Sequence, residues 1–360
     1  MSGAQPSSGG LPAVSPAERR RLLTDLLKGV SRSFYLTLKV LPAGVREPVG
    51  LAYLLARAAD TISDTMVLPP RNRLMHLLAF RAQVVGPADF EALQSIGNAL
   101  NELQEISKEA ELLRSLPAVF GILEGLLLED QEAVRSVVVT LTRGMETDLT
   151  TFPTEDSGQV VALDSAPALD DYIYHVAGCV GEFWTAVSMS CTASLRHWDK
   201  AAMFDLGVRF GKALQMTNVL RDVPKDLRMG RCYLTANALS ELDLDPSDLL
   251  NADNSDKARP ALVDGINLAL DHYAAAERYI LAIPRRNLRL RLAALWPVII
   301  GLGTLAQLAN NRGWLSPDTT SKVTREWIYK VLLFSMLVGR SNSALAWWIR
   351  RLRRRVESTL

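Results

Sequence analysis

The sequence predicts an all-α fold, one large helical bundle around a deep apolar cavity. Long Leu/Ala/Arg/Glu-rich runs repeat with the helical period, while alternating strand patterns are scarce and no tandem repeat stands out. A composition of 48% hydrophobic and 22% charged residues supplies enough apolar surface for a sizeable core and excludes a disordered chain. Nothing in the middle of the 360 residues has the composition of a linker, so residues 16–338 are expected to form a single domain.

The elements follow in order. Residues 1–15 read as a flexible polar tail, because MSGAQPSSGGLPAVS lacks the charged start and apolar stretch of a secretory signal. Ser15-Pro16-Ala17-Glu18 marks a helix start, with Ser as cap, Pro in the first turn and Glu closing a capping box, and this helix runs to about Lys28. After a break through SRSF at 31–34 and Leu41-Pro42, a long helical pattern passes through Val49, Tyr53, Ala56 and Asp60 and ends at Pro69-Pro70. Further helices are expected at 71–85, 102–113, 118–129 and 132–149. A polar, proline-bearing connection at 152–169 precedes helices at 170–191, 200–223, 258–281, 288–311 and 324–338. The apolar run from Ala293 to Ala309 is slightly short for a membrane span and holds Pro297 and two glycines, which favours a buried core helix.

A net charge of +1 gives no global field for nucleic acid, and no nucleic-acid partner is expected. Cys179, Cys191 and Cys232 have neither zinc-site spacing nor an even disulfide framework, so a reducing, cytoplasmic compartment is the default. His76, His175, His197 and His272 are scattered and read as structural or surface residues.

Two stretches carry chemistry. In LAYLLARAADTISDT, residues 51–65, Tyr53, Arg57, Asp60 and Asp64 are spaced by four, three and four, one stripe of a helix that is otherwise apolar. In the second, Gln215, Asn218, Asp222 and Asp226 are spaced by three, four and four, again one helical face, with Arg221, Arg228 and Arg231 close by. A single D-x-x-x-D is weak evidence, since a capped, solvated helix end gives the same pattern. Two such pairs, each with arginine, in a chain without a catalytic serine or cysteine motif, suit magnesium ions bridging to a diphosphate. The chemistry implied is departure of diphosphate from an allylic carbon, leaving a carbocation to be sheltered from water. Pro224 lies between Asp222 and Asp226 and predicts a break at Val223 and Pro224 that still aims both carboxylates at the cavity.

These segments, with SRSF at 31–34, DYIYHVAGCVGEFW at 171–184 and TNVLRDVPKDLRMGRCYL at 217–234, resemble the squalene and phytoene synthase family over roughly residues 20–312. The resemblance implies an isoprenoid-synthase-type helical bundle and two prenyl diphosphate substrates. It implies that Asp60, Asp64, Asp222 and Asp226 hold magnesium, and that Ser31, Arg32, Ser33, Arg57, Arg221 and Arg231 contact diphosphate, with Gln215 and Asn218 lining the second site. Tyr53 and Tyr172 match tyrosines near the reacting carbons, and Arg57 and Arg221 join them as catalytic candidates.

The segment LWPVIIGLGTLAQLANNRGWL, followed by Lys322-Val323-Thr324-Arg325, resembles the squalene synthase branch, in which NADPH reduces presqualene diphosphate to squalene. Phytoene, dehydrosqualene and presqualene diphosphate synthases remain the alternatives, and a non-catalytic assembly factor or a helical nucleotide diphosphohydrolase lies further off. GLG at 301–303 is no dinucleotide fingerprint, because it lacks the third glycine and a preceding strand. An NADPH site would be built from helices, with Asn218, Lys322 and Arg325 as contacts. The sequence departs from the squalene synthase pattern at Ser63 and Thr65, where further acids are common, and at YLT 233–235, where YLP is usual and only a loop is expected to be touched.

Residues 339–360 form a basic amphipathic tail, in which Trp347 and Trp348 beside Arg350, Arg351, Arg353, Arg354 and Arg355 suit peripheral contact with an anionic cytoplasmic membrane face. A solvated basic tail is the other reading.

Overall fold

The computed structural model describes residues 11, 13–31, 34–65, 68–101, 107–155 and 157–360. Helices α1 to α18 carry almost all of its regular structure, as the all-α expectation requires. The chain divides into two compact units, one of described residues up to Leu38 and from Ala43 to Leu149, the other of Lys39–Pro42 and Thr150–Leu360.

In the first unit, α1 (Pro16–Arg21) starts at Ser15, whose side chain accepts from the Glu18 amide as expected. A π-helical turn at Leu22–Leu26 leads into α2 (Leu27–Ser31), and α3 (Tyr35–Val40) follows. The central helix is α4 (Ala43–Ser63), whose buried face includes Val49, Leu51, Leu54, Leu55, Ala58 and Ile62. Pro69 and Pro70 separate it from α5 (Pro70–Val85), with Pro70 in that helix's first turn, where the missing N–H costs nothing. The sequence pattern missed α6 (Phe90–Asn101), and 102–106 of the expected helix 102–113 lie outside the described residues. Its remainder is α7 (Lys108–Arg114), capped by Ser107. After α8 (Leu116–Glu124), helix α9 (Leu128–Thr151) runs through the 132–149 pattern.

In the second unit, the connection at 152–169 holds β1 (Val161–Ala162), and α10 (Ala166–Ile173) is joined to α11 (Cys179–Cys191) by a π turn at Tyr174–Gly178. Helix α12 (Lys200–Arg221) leads to α13 (Val223–Arg228), β2 (Arg231–Cys232) and α14 (Ala236–Ser240). Strands β1 and β2 pair in parallel, Val161 with Arg231 and Ala162 with Cys232. Helices α15 (Arg259–Ala282), α16 (Leu288–Asn310), α17 (Arg325–Val338) and α18 (Asn342–Glu357) complete the unit.

Helix α12 is the hub of this unit and packs against α11, α15 and α16. It crosses α11 at backbone contact: a Cβ on Gly181 would lie 1.8 Å from the Gly207 carbonyl oxygen, so neither glycine can carry a side chain. Buried hydroxyl pairs tie α15 to its neighbours, Tyr273 to Thr217 of α12 at 2.8 Å and Tyr279 to Thr185 of α11 at 3.0 Å. Helix α16 is the one described helix long and apolar enough to cross a membrane, and most of its apolar window is packed inside the unit. Its GLG segment serves packing. The Tyr273 hydroxyl occupies the space a Cβ on Gly301 would need, and Val323 and Trp327 press on Gly303. Residues 342–357, expected as part of a tail, form a helix that buries Leu345, Ile349 and Val356 against α15 and α16.

Candidate active site

In the first unit, α4 carries Tyr53, Arg57 and Asp60, with Asp64 just past its last turn. The helix ends there for local reasons. Thr61 Oγ1 donates back to the Arg57 carbonyl at 2.8 Å, Ser63 Oγ to the Asp60 carbonyl at 3.0 Å and Thr65 Oγ1 to the Thr61 carbonyl at 2.6 Å. Buried Arg73 of α5 donates to the Ser63 carbonyl at 3.1 Å. Ser63 and Thr65, the departures from the acid-rich pattern, thus donate to carbonyls of the last helical turn: Ser63 to that of Asp60, which also accepts from the Asp64 amide at 2.9 Å, and Thr65 to that of Thr61, which the end of the helix leaves open.

Arg57 is gripped at both ends, by Asp60 at 2.5 Å through one terminal nitrogen and by Glu109 of α7 at 2.9 Å through the other. Burial alone would pull its pKa down, but the Glu109 hydrogen bond and the Asp60 charge hold it above the ordinary arginine value. Tyr53 stacks on Phe34 with ring centres 5.3 Å apart, and its hydroxyl lies 3.4 Å from the Val30 carbonyl, so it braces both sides of the SRSF segment. Arg32 and Ser33 lie outside the described residues. Ser31 is 2% exposed, and neither its hydroxyl nor the Nε of Arg57 has a hydrogen-bond partner among the described residues. Buried donors left open in this way fit an anionic ligand.

In the second unit, the proline break falls one residue earlier than expected. Asp222 closes α12 at φ −95° and ψ 7°, and Val223 is already the first residue of α13, with Pro224 in its first turn. The Asp222 amide donates to the Asn218 carbonyl, and the Asp222 carbonyl accepts from the Asp226 amide, both at 2.9 Å. One residue in the bridge region absorbs the strain, and the i to i+4 link between the two aspartates survives.

Arg221 grips Asp222 through two nitrogens, Nε at 2.8 Å and a terminal nitrogen at 2.5 Å. That hydrogen-bonded pair, more than the opposing effect of burial, holds its pKa above the ordinary arginine value. Each acid motif therefore has an arginine bound to its leading aspartate. Gln215 and Asn218 are one turn apart on α12, with the Asn218 amide 3.5 Å from the Gln215 oxygen. Arg231 is set at the start of β2 and lies 3.8 Å from Glu155. Lys322 and Arg325 are exposed at the start of α17, and no hydrogen bond joins them to Asn218 among the described residues.

Tyr172 reveals a partner that pattern reading overlooked. Its ring stacks on Tyr233 at 4.9 Å, its hydroxyl donates to that of Tyr233 at 3.1 Å, and Phe152 packs edge-on against Tyr233. The YLT segment is therefore more than a loop contact: Tyr233 seats Tyr172, and Thr235 caps α14 by accepting from the Ala238 amide at 3.4 Å. Glu109 was likewise missed, since its only sequence signal is an acid in the first turn of a short helix.

Among the described residues no three His, Cys, Asp or Glu side chains gather into a closed metal cage. Pairs of hard carboxylate oxygens remain, a donor set that fits magnesium completed by water and substrate phosphate oxygens. The two aspartate pairs belong to different units, Asp60 and Asp64 to the first and Asp222 and Asp226 to the second.

Residues 27–327 match the sequence profile described as squalene/phytoene synthase. A squalene synthase from Schizosaccharomyces pombe is 27% identical over 87% of this chain and 64% of its own length, so the chain spans just under two thirds of that relative. A 15-cis-phytoene synthase from Synechocystis sp. is 26% identical over 82% of this chain and 76% of its own. Among solved structures, a complex of TcSQS with the ligand E5700 superposes with a TM-score of 0.73 at 21% identity, covering 95% of this chain and 99% of the other, which establishes the shared helical fold. With a profile match over most of its length, two arginine-bound aspartate motifs and this fold, the chain belongs to the squalene/phytoene synthase family.

Proposed function

We propose that the protein is a magnesium-dependent squalene synthase, joining two farnesyl diphosphates head to head into presqualene diphosphate and reducing that product with NADPH to squalene, a precursor for sterol or hopanoid biosynthesis. The observation that carries this reading is the pair of acid motifs, each with its leading aspartate bound by an arginine of the same segment. Residues 16–338 would act as one catalytic domain.

Bound magnesium would neutralise the charge that builds on departing diphosphate. Asp60 and Asp64 would hold it at one substrate, and Asp222 and Asp226 at the other. Arg57 and Arg221, kept cationic by their acid partners, would take phosphate oxygens, with the open donors of Ser31 and Arg57 adding hydrogen bonds. Arg32, Ser33, Gln215, Asn218 and Arg231 would complete the diphosphate contacts. Tyr53 and Tyr172, their rings fixed by Phe34 and Tyr233, would present aromatic faces and hydroxyls to the developing cation. Released diphosphate would accept the proton lost on cyclopropane closure. Asn218, Lys322 and Arg325 would contact NADPH, and Lys322→Ala or Arg325→Ala should raise KM for it. An unchanged KM removes these residues from the site. The protein would work in the cytoplasm, with segment 339–360 touching the membrane face.

A second reading, that the product is phytoene, dehydrosqualene or presqualene diphosphate without reduction, is favoured by the phytoene synthase among the relatives. One assay separates them: purified protein with magnesium and farnesyl or geranylgeranyl diphosphate, with and without NADPH, followed by identification of the lipid. Squalene formed only with NADPH supports the proposal. Phytoene from the longer substrate, or a NADPH-independent product, supports the second reading, and no turnover counts against both.

A further inference from the structure

Helix α17 leaves to solvent the face that a soluble helix ordinarily hides. Its inner side is occupied: Val331 and Ser335 are buried, the Trp296 indole donates to Ser335 Oγ at 2.8 Å, and Phe334 meets Trp348 of α18 edge-on at 4.9 Å. On the opposite side Tyr329, Leu333, Met336 and Leu337 are 65%, 68%, 61% and 78% exposed. At 3.6 residues per turn these four fall within about 100° of arc, one continuous apolar ridge. Apolar side chains massed in this way mark an interaction surface.

The surrounding charges indicate what covers it. On α18 the aliphatic residues Leu345, Ile349 and Val356 are already buried within the unit, and of its large apolar side chains Trp347 alone is mostly exposed, so the broader apolar face is that of α17. The outer stripe of α18 carries Trp347 with Arg351 stacked over the ring at 5.4 Å, followed by Arg354 and Arg355. Buried Glu277 takes Arg350 at 2.7 Å and lies 3.9 Å from Arg353, whereas no carboxylate pairs with Arg351, Arg354 or Arg355 among the described residues. Arg351 and Arg355 follow Trp348 by three and seven positions and share its flank of α18, the flank that meets α17. Lys330 precedes Phe334 by four and borders the same seam.

We infer that the outer face of α17 and the arginine stripe of α18 together form a docking surface for an anionic phospholipid bilayer. Tyr329, Leu333, Met336 and Leu337 enter the boundary between headgroups and acyl chains, and the guanidiniums take lipid phosphates. A second copy fits less well, because two-fold pairing through this ridge would bring cationic borders together. The inference rests on the membrane contact proposed for segment 339–360 and moves the inserted element from that segment to α17.

The test is flotation of the purified full chain with vesicles of phosphatidylcholine, alone or mixed with phosphatidylglycerol, using Leu333→Glu/Leu337→Glu and Arg351→Glu/Arg355→Glu. Wild type should float with the anionic vesicles, and each double variant should lose at least about tenfold in bound fraction while melting and turning over substrate in detergent as wild type does. If the leucine variant binds as wild type and only the arginine variant fails, α17 insertion is overturned and the basic-segment contact stands. Absence of wild-type binding to either vesicle overturns both. A lipid-free wild-type dimer that Leu333→Glu/Leu337→Glu splits would make a second copy the occupant.

Discussion

Glu109 of α7 holds the Arg57 guanidinium at 2.9 Å, although the two residues are 52 positions apart. Because Asp60 takes the other terminal nitrogen, Arg57 is oriented from two sides before substrate arrives. Glu109→Gln keeps the shape and removes the charge. A charge-assisted hydrogen bond contributes about 1.5–3 kcal/mol, so kcat/KM for the prenyl diphosphate should fall by about tenfold. Steady-state kinetics beside thermal melts check this. A lower melting temperature with unchanged kinetics would assign Glu109 a structural role only.

The Asp222–Asp226 pair depends on a break that Pro224 enforces. At the second position of a new helix proline costs little, whereas inside a continuous helix it would cost roughly 3 kcal/mol. Pro224→Ala permits α12 and α13 to fuse and re-aim both carboxylates. The expected result is turnover lowered by about tenfold and a raised magnesium requirement, with thermal stability equal or higher. Turnover equal to wild type would show that the break is dispensable.

How much of this was legible depended on the range of the interaction. The stripes on α4 and α12 could be read because one helical turn separates their members, and the proline break because it is a property of one residue and its neighbours. Its exact place could not: the chain put the distortion into Asp222 rather than Val223, since a cap residue already outside regular helix bends most cheaply. Glu109 and Tyr233 were invisible because each acts on a residue 52 or 61 positions away, and no periodicity records such a meeting. Helix α6 escaped notice as well. Its Gly97 is required by a contact that no local pattern records, the Leu113 carbonyl lying 2.7 Å from where a Cβ would stand. Ser63 and Thr65 looked like lost ligands and are helix-end donors.

Tyr233 supports Tyr172 both by stacking and by accepting a hydrogen bond from its hydroxyl. Tyr233→Phe preserves the ring and leaves a hydroxyl on one side only. A neutral hydrogen bond contributes about 1 kcal/mol, so kcat should drop a few-fold with KM for the diphosphate unchanged. Tyr233→Leu, which also removes the stack, should cost more and alter the ratio of products. Product analysis by gas chromatography reads both effects.

The cysteines should differ sharply in reactivity. Burial, before any other influence, pushes the Cys179 and Cys232 thiols up to about 12, and Cys191 is exposed. The thiolate is the nucleophile, so at pH 8 the folded chain should react with an aromatic disulfide reagent at one thiol, and the unfolded chain at all three. Three fast thiols in the folded chain would contradict the buried positions of Cys179 and Cys232.

His272 should limit stability in acid. Both ring nitrogens are buried without a hydrogen-bond partner among the described residues, and burial, followed by the Arg209 and Lys212 charges, lowers its pKa to about 4, with Asp170 and Asp271 opposing. The unfolded chain, with a histidine near 6.5, binds the proton more readily between these two values, so stability falls as pH drops from about 6.5 toward about 4. The full shift corresponds to on the order of 3 kcal/mol. His272→Leu, which removes the titrating ring and leaves no partner unsatisfied, should flatten that part of the curve while matching wild type near pH 7.5. Urea melts at half-unit pH steps measure the slope, and equal slopes for the two proteins would show that another group governs acid unfolding.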